Sequence, residues 1–73
     1  MARLIVYKNN TCDTNYVTAC IIKFCEFEPY QAEQCATIIN SKGEYAIKHG
    51  EYNDIEEIAY LFENVGLVTK ITE

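Results

Sequence analysis

Residues Leu4 to Gly43 read LIVYKNNTCDTNYVTACIIKFCEFEPYQAEQCATIINSKG, and the reading of this stretch decides the fold. It opens on a short apolar run with β-branched and aromatic members, Leu4-Ile5-Val6-Tyr7, which predicts a buried strand over about residues 3 to 8. An Asn9-Asn10-Thr11 turn follows, because asparagine tolerates left-handed backbone. Asp13 or Thr14 can cap a first helix of about residues 14 to 26. Its apolar positions Val17, Cys20, Ile21 and Phe24 fall at i, i+3, i+4 and i+7, one face of a helical period. Pro29 suits the first turn of a second helix, where its missing N–H costs nothing. Ala32, Cys35, Ala36 and Ile39 repeat the spacing there, and Gly43 fits the C′ position that takes a left-handed conformation. An asparagine-rich turn between a strand and a helix sets polar groups on a rigid base. Such a site suits recognition of a small charged group better than bond-breaking chemistry.

Beyond Gly43 the pattern changes period. Tyr45 and Ile47 alternate with Glu44 and Lys48, which predicts a second strand over residues 44 to 49, and Gly50 opens a turn. Asn53 to Glu56 matches a capping box loosely and starts a third helix to about Asn64. Ile55, Ile58, Ala59 and Phe62 form its apolar face, Gly66 ends it, and Leu67 to Thr72 alternates as a last strand. The order is βααβαβ. Three helices each need one apolar face covered, and a three-stranded antiparallel sheet packed on them does that. The expected fold class is therefore α+β, one small domain over residues 1–73 with no linker, repeat or low-complexity tract.

Composition narrows the function classes. A chain of 73 residues buries only about 60% of its unfolded surface and has no room for a deep cleft between two subdomains. Apolar residues at 49% and charged residues at 23% are those of an ordinary globular protein. A net charge of -5 argues against binding through nucleic-acid phosphates and favours a basic or mixed protein surface as partner; mimicry of nucleic acid is the alternative. Met1-Ala2-Arg3 leads into an apolar run too short for a signal peptide, and no stretch is long enough to span a bilayer, so no membrane partner and a cytoplasmic setting are expected.

Enzyme constellations are nearly absent. His49 is the only histidine, and no Ser/His/Asp order, phosphate-binding glycine loop or HExxH occurs, so no catalytic residue and no cofactor are assigned. Cys12, Cys20, Cys25 and Cys35 include no CxxC pair. Three of them fall among helical apolar positions and read as reduced core thiols rather than as a disulfide framework or zinc site. Cys12, in the turn, is the one expected to be exposed, without an assignable base to activate it. Glu51, Asp54, Glu56 and Glu57 cluster near the start of the third helix, where the helix dipole favours them; contact with a basic partner is the other reading.

Several residues together resemble the core domain of the ClpS adaptor family, which hands N-degron substrates to a Clp-type AAA+ unfoldase. Tyr16-Val17, Lys23-Phe24, Phe27-Glu28, Ala32, Gln34 and Gly43 stand where the family shows Phe-Val, Lys-Phe, an aromatic followed by an acid, Ala-x-Gln and Gly. After Gly43 the chain is two residues longer before the aromatic at Tyr52, and Gly66-Leu67 resembles the family's Pro-Leu. The resemblance implies a pocket between the first turn and helix two that holds a substrate's free α-amine and bulky first side chain. It places Asn9, Asn10, Thr14, Val17, Ile39, Asn40 and Leu67 in that pocket.

The chain departs from the family at the polar positions. The family's Asn-Asp-Asp turn is replaced by Lys8-Asn9-Asn10, or, with a turn one residue shorter, Asn9 keeps the asparagine and Asn10 replaces the aspartate. Asn40 stands at the family's histidine, and Thr14 at a larger gate residue; Val17, Ile39 and Leu67 match apolar walls. A charge-assisted bond is worth roughly 1.5–3 kcal/mol against about 1 for a neutral acceptor, so amine binding is expected to weaken by about tenfold or more. Strand one begins within three residues of Met1, so the flexible extension that the family's unfoldase engages is expected to be missing. The expectation is a non-catalytic ClpS-like module that docks on the unfoldase and modulates or competes with delivery. Its alternatives are an acidic inhibitor of an unrelated basic partner and an N-degron adaptor with altered preference.

Overall fold

β1 (Ala2–Tyr7) lies in the middle of a single sheet, antiparallel to β2 (Glu44–Gly50) on one side and β3 (Thr69–Thr72) on the other. Three helices complete the α+β domain: α1 (Thr14–Cys25), α2 (Pro29–Lys42) and α3 (Tyr52–Asn64). This is the expected βααβαβ order; the computed structural model describes residues 1–10 and 12–73. Because side chains alternate along a strand, β1 sends Ala2, Leu4 and Val6 into the core, while Arg3 is exposed and Ile5 and Tyr7 are half-buried on the other face. The helices cover the Leu4 face. Val17, Cys20, Ile21 and Cys25 of α1, Ala32, Cys35, Ala36 and Ile39 of α2, and Ile55, Ala59 and Phe62 of α3 all join the same core. Phe24 meets Phe62 edge-on, with ring centroids 5.2 Å apart, which locks α1 to α3.

Local chemistry explains most boundaries. Asp13, not Thr14, caps α1: its carboxylate accepts from the Tyr16 N–H at 2.8 Å. Helix α1 ends one residue early, at Cys25, because Glu26 turns left-handed (φ 58) and its N–H bonds the Ile22 carbonyl. Pro29 occupies the first turn of α2, Gln31 accepts from the Glu28 N–H at 3.4 Å, and Gly43 ends the helix at φ 92. All four thiols are reduced, and Cys20, Cys25 and Cys35 are buried core residues.

Three expectations need correction. The alternation of β2 holds only in part, since Tyr45 is exposed while Ile47 is buried. Leu4 pairs with Lys48 but Ile5 pairs with Ala46, so Ile47 is the extra residue of a bulge. The bulge turns Ile47 into the core and lets Lys48 cross the face of Phe27, 5.8 Å from its centroid. Gly50 pairs with Ala2 and closes β2 instead of opening a turn. Second, α3 starts at Tyr52 with Glu51 as its extended cap residue, so Asn53 lies inside the first turn. The Ile55 N–H already bonds the Glu51 carbonyl at 3.0 Å, which leaves no capping position for Asn53. Third, β3 starts at Thr69, because Leu67 is used to finish α3. Its N–H reaches back to the Phe62 carbonyl (3.1 Å) and that of Gly66 to Glu63 (3.1 Å), the two bonds of a Schellman motif, with Phe62 and Leu67 both buried.

Glu26 is the only non-glycine residue with positive φ among the described residues. Replacing it by glycine removes the Cβ strain of left-handed backbone. Glu26→Gly is expected to stabilise the domain by about 1 kcal/mol, or roughly 4–8 °C in Tm, measured by thermal unfolding followed by circular dichroism.

Candidate functional site

The carbonyls left over at the end of α3 organise the site. A Schellman motif satisfies only part of a helix C-terminus. Here the Tyr16 hydroxyl donates to the Val65 carbonyl at 2.9 Å, and the Asn9 side-chain amide donates to the Gly66 carbonyl at 2.7 Å. The same turn is bound from both sides: the Tyr7 N–H donates to Val68 at 3.0 Å and the Lys8 N–H to Gly43 at 2.8 Å. Segment 7–9 therefore ties the end of α2 to the turn between α3 and β3, and the Asn9 carbonyl accepts from Cys12 at 3.0 Å to carry the chain toward α1.

These ties bring most of the sequence-predicted site together. Asn9, Thr14, Val17, Ile39 and Asn40 line one small pocket with Lys8, Cys12 and Ala36. Its floor is apolar, from buried Val17, Ala36 and Ile39, and its rim is polar. The pocket is only about 20 Å³. That is room for about one water molecule, which needs roughly 10–15 Å³ by this measure. Two predicted residues lie elsewhere: Asn10 is exposed outside the described lining, and Leu67 is buried in the core as part of the α3 cap. Asn9 is present, but its amide N–H serves the Gly66 carbonyl.

The electrostatics differ from those of an amine-binding site. No carboxylate lines the pocket among the described residues, and Lys8 is the one charged residue in its lining. Burial pushes the Cys25 thiol up to about 11, with Lys48 opposing and Cys35 adding to the shift, and burial also raises Cys20 and Cys35. These thiols are poor nucleophiles at neutral pH. Tyr16 is raised as well, by desolvation first and by Cys20 and Cys12 next. No three metal-ligating side chains gather among the described residues, and no helix of these residues is long and apolar enough to cross a membrane.

Sequence reasoning missed the Tyr16 hydroxyl and the lining role of Ala36. The second had a signal: Ala36 stands one helical turn before Asn40. The first had none, because a tyrosine beside the apolar face of a helix reveals nothing of its hydroxyl partner. Compared with known proteins, the sequence matches no family model and no curated protein.

Two outcomes follow from the geometry. Tyr16→Phe and Asn9→Ala are each expected to cost about 0.5–1.5 kcal/mol in chemical denaturation, and the double variant less than their sum, since both hold one turn. The raised Cys25 thiol gives a pH signature. Above about 9 the unfolded chain loses this proton first, so its contribution to stability is intact below 9.0 and is lost as pH climbs toward about 11. The stability difference between the wild type and Cys25→Ala should therefore narrow across that window in urea titrations.

Proposed function

We propose that this chain is a non-catalytic ClpS-like binding module that docks on a Clp-type AAA+ unfoldase and modulates, or competes with, delivery of N-degron substrates. The observation that supports the reading is the small pocket of about 20 Å³ between the first turn and α2, lined by Asn9, Thr14, Val17, Ile39 and Asn40. Ligand sites commonly span about 300–1,000 Å³ and are largely preformed. A pocket of this size does not enclose a leucine or aromatic first residue, and its lining offers a free α-amine Lys8 but no carboxylate. The module thus keeps the adaptor's scaffold while its pocket disfavours the adaptor's cargo. Asn9, Thr14, Val17, Ile39 and Asn40 act as packing and turn residues in this reading, and Asn10 and Leu67 as a surface and a core residue.

The test has two arms. Fluorescence anisotropy with labelled peptides beginning in Leu, Phe, Tyr or Trp should show no binding that depends on a free α-amine, with N-acetylated peptides as controls. A purified Clp-type unfoldase should be retained by the immobilised protein, and added protein should slow degradation of an N-degron reporter supplied with a functional adaptor. Failure to retain the unfoldase overturns the proposal. Acetylation-sensitive peptide binding would convert the module into a delivering adaptor with altered preference.

A further inference from the structure

A second concavity, of about 770 Å³, runs along α3 where it meets β3. Its floor is buried Ala59 and half-buried Ile71, and its walls are Tyr60 and Leu61, which are 64% and 41% exposed. Glu56, Glu57 and Glu63 stand around it, and no Lys, Arg or His side chain is among its lining residues. The residues form two neighbouring stripes on α3. Glu56, Tyr60 and Glu63 follow i, i+4 and i+7, and Glu57 and Leu61 follow i and i+4. β3 beside them is one of the two edge strands, bonded to β1 alone.

We propose that this α3–β3 groove docks a cationic amphipathic segment of a partner protein. Its apolar side chain seats on Ala59, Leu61 and Ile71, and its Lys or Arg side chains meet Glu56, Glu57 and Glu63. Charge complementarity selects this occupant. Helix stability explains acids in the first turn of α3, but Glu63 lies in the last turn, where the dipole disfavours negative charge and no basic residue offsets it. A phosphate-bearing surface, whether nucleic acid or anionic lipid, is repelled by the three carboxylates. A second copy of the chain, which carries a net charge of -5, is a poorer fit than a cationic partner. Tyr60 and Leu61 give the bulky contact that exposed ion pairs alone do not supply. The inference does not depend on the α-amine pocket or on the unfoldase.

The probe is a fluorescein-labelled peptide of about ten residues alternating Lys and Leu, followed by anisotropy at roughly 0.15 M salt, where charges beyond about 8 Å are screened. The full chain should bind it, and a peptide with Glu in place of Lys should not bind. The triple variant Glu56→Lys, Glu57→Lys, Glu63→Lys should lose about tenfold or more in affinity. The charge-matched control Glu26→Lys, Glu33→Lys, Glu44→Lys, at exposed positions outside the groove, should change it by less than about twofold. Leu61→Ala, which leaves the charge unchanged, should cost about fivefold. Circular dichroism checks that each variant folds, and sedimentation checks for self-association. Equal losses in both triple variants, no effect of Leu61→Ala, no binding by the wild type, or binding explained by dimer formation would each overturn the proposal.

Discussion

The end of α3 carries carbonyls that its own Schellman motif does not bond, and the arrangement of the molecule depends on how they are satisfied. Asn9 and Tyr16 supply the two donors, to Gly66 and Val65. Neither bond is worth more than about 1.5 kcal/mol net. They matter because a domain of this size has only about 5–15 kcal/mol in total, and because one comes from the segment that joins β1 to α1 and the other from the first turn of α1. That segment also bonds Gly43 at the end of α2 and Val68 ahead of β3. One short turn thus sets where α1 starts and where α2 and α3 end relative to the central strand. The core beneath it is continuous, with Phe62 under Leu67 and Phe24 edge-on to Phe62, so the polar clamp and the apolar packing fix the same geometry.

The same clamp limits the pocket. Asn9 turns its amide N–H toward Gly66, and Cys12 and Ala36 stand at the lining with Ile39 and Val17. Small residues alone do not make a roomy site when the surrounding backbone is drawn together. The rim then decides which charge could approach. A lining that holds Lys8, Asn9 and Asn40 and no carboxylate offers a cation no charged acceptor. Chemistry and volume therefore act in one direction, against a bulky residue with a free amine.

Much of this was legible in the sequence, for identifiable reasons. Pro29 and Gly43 bracket α2 because each has one backbone conformation it fills better than other residues, and the three helical faces were plain in the i, i+3, i+4 spacing. What escaped depended on partners distant in sequence. The bulge at Ile47 follows from pairing with Leu4 and Ile5, which an alternating run of Tyr45 and Ile47 cannot announce. Asn53 resembled a cap by residue type, yet the helix begins where Glu51 first supplies a carbonyl. Leu67 fitted an alternating strand as well as it fits a helix cap, and only the burial of Phe62 beneath it separates the two. At the site, five of the seven expected residues line one pocket, but its volume and the commitment of Asn9 were beyond any reading of residue types.

The charges along α3 lead to a last point of physics. Asp54 in the first turn lies with the helix dipole, whereas Glu63 in the last turn lies against it. The C-terminal half of α3 is therefore held by burial of Phe62 and Leu67, by the Schellman bonds, and by Asn9 and Tyr16 from outside. A cation seated beside Glu63 would remove the unfavourable charge at the helix end that this clamp holds.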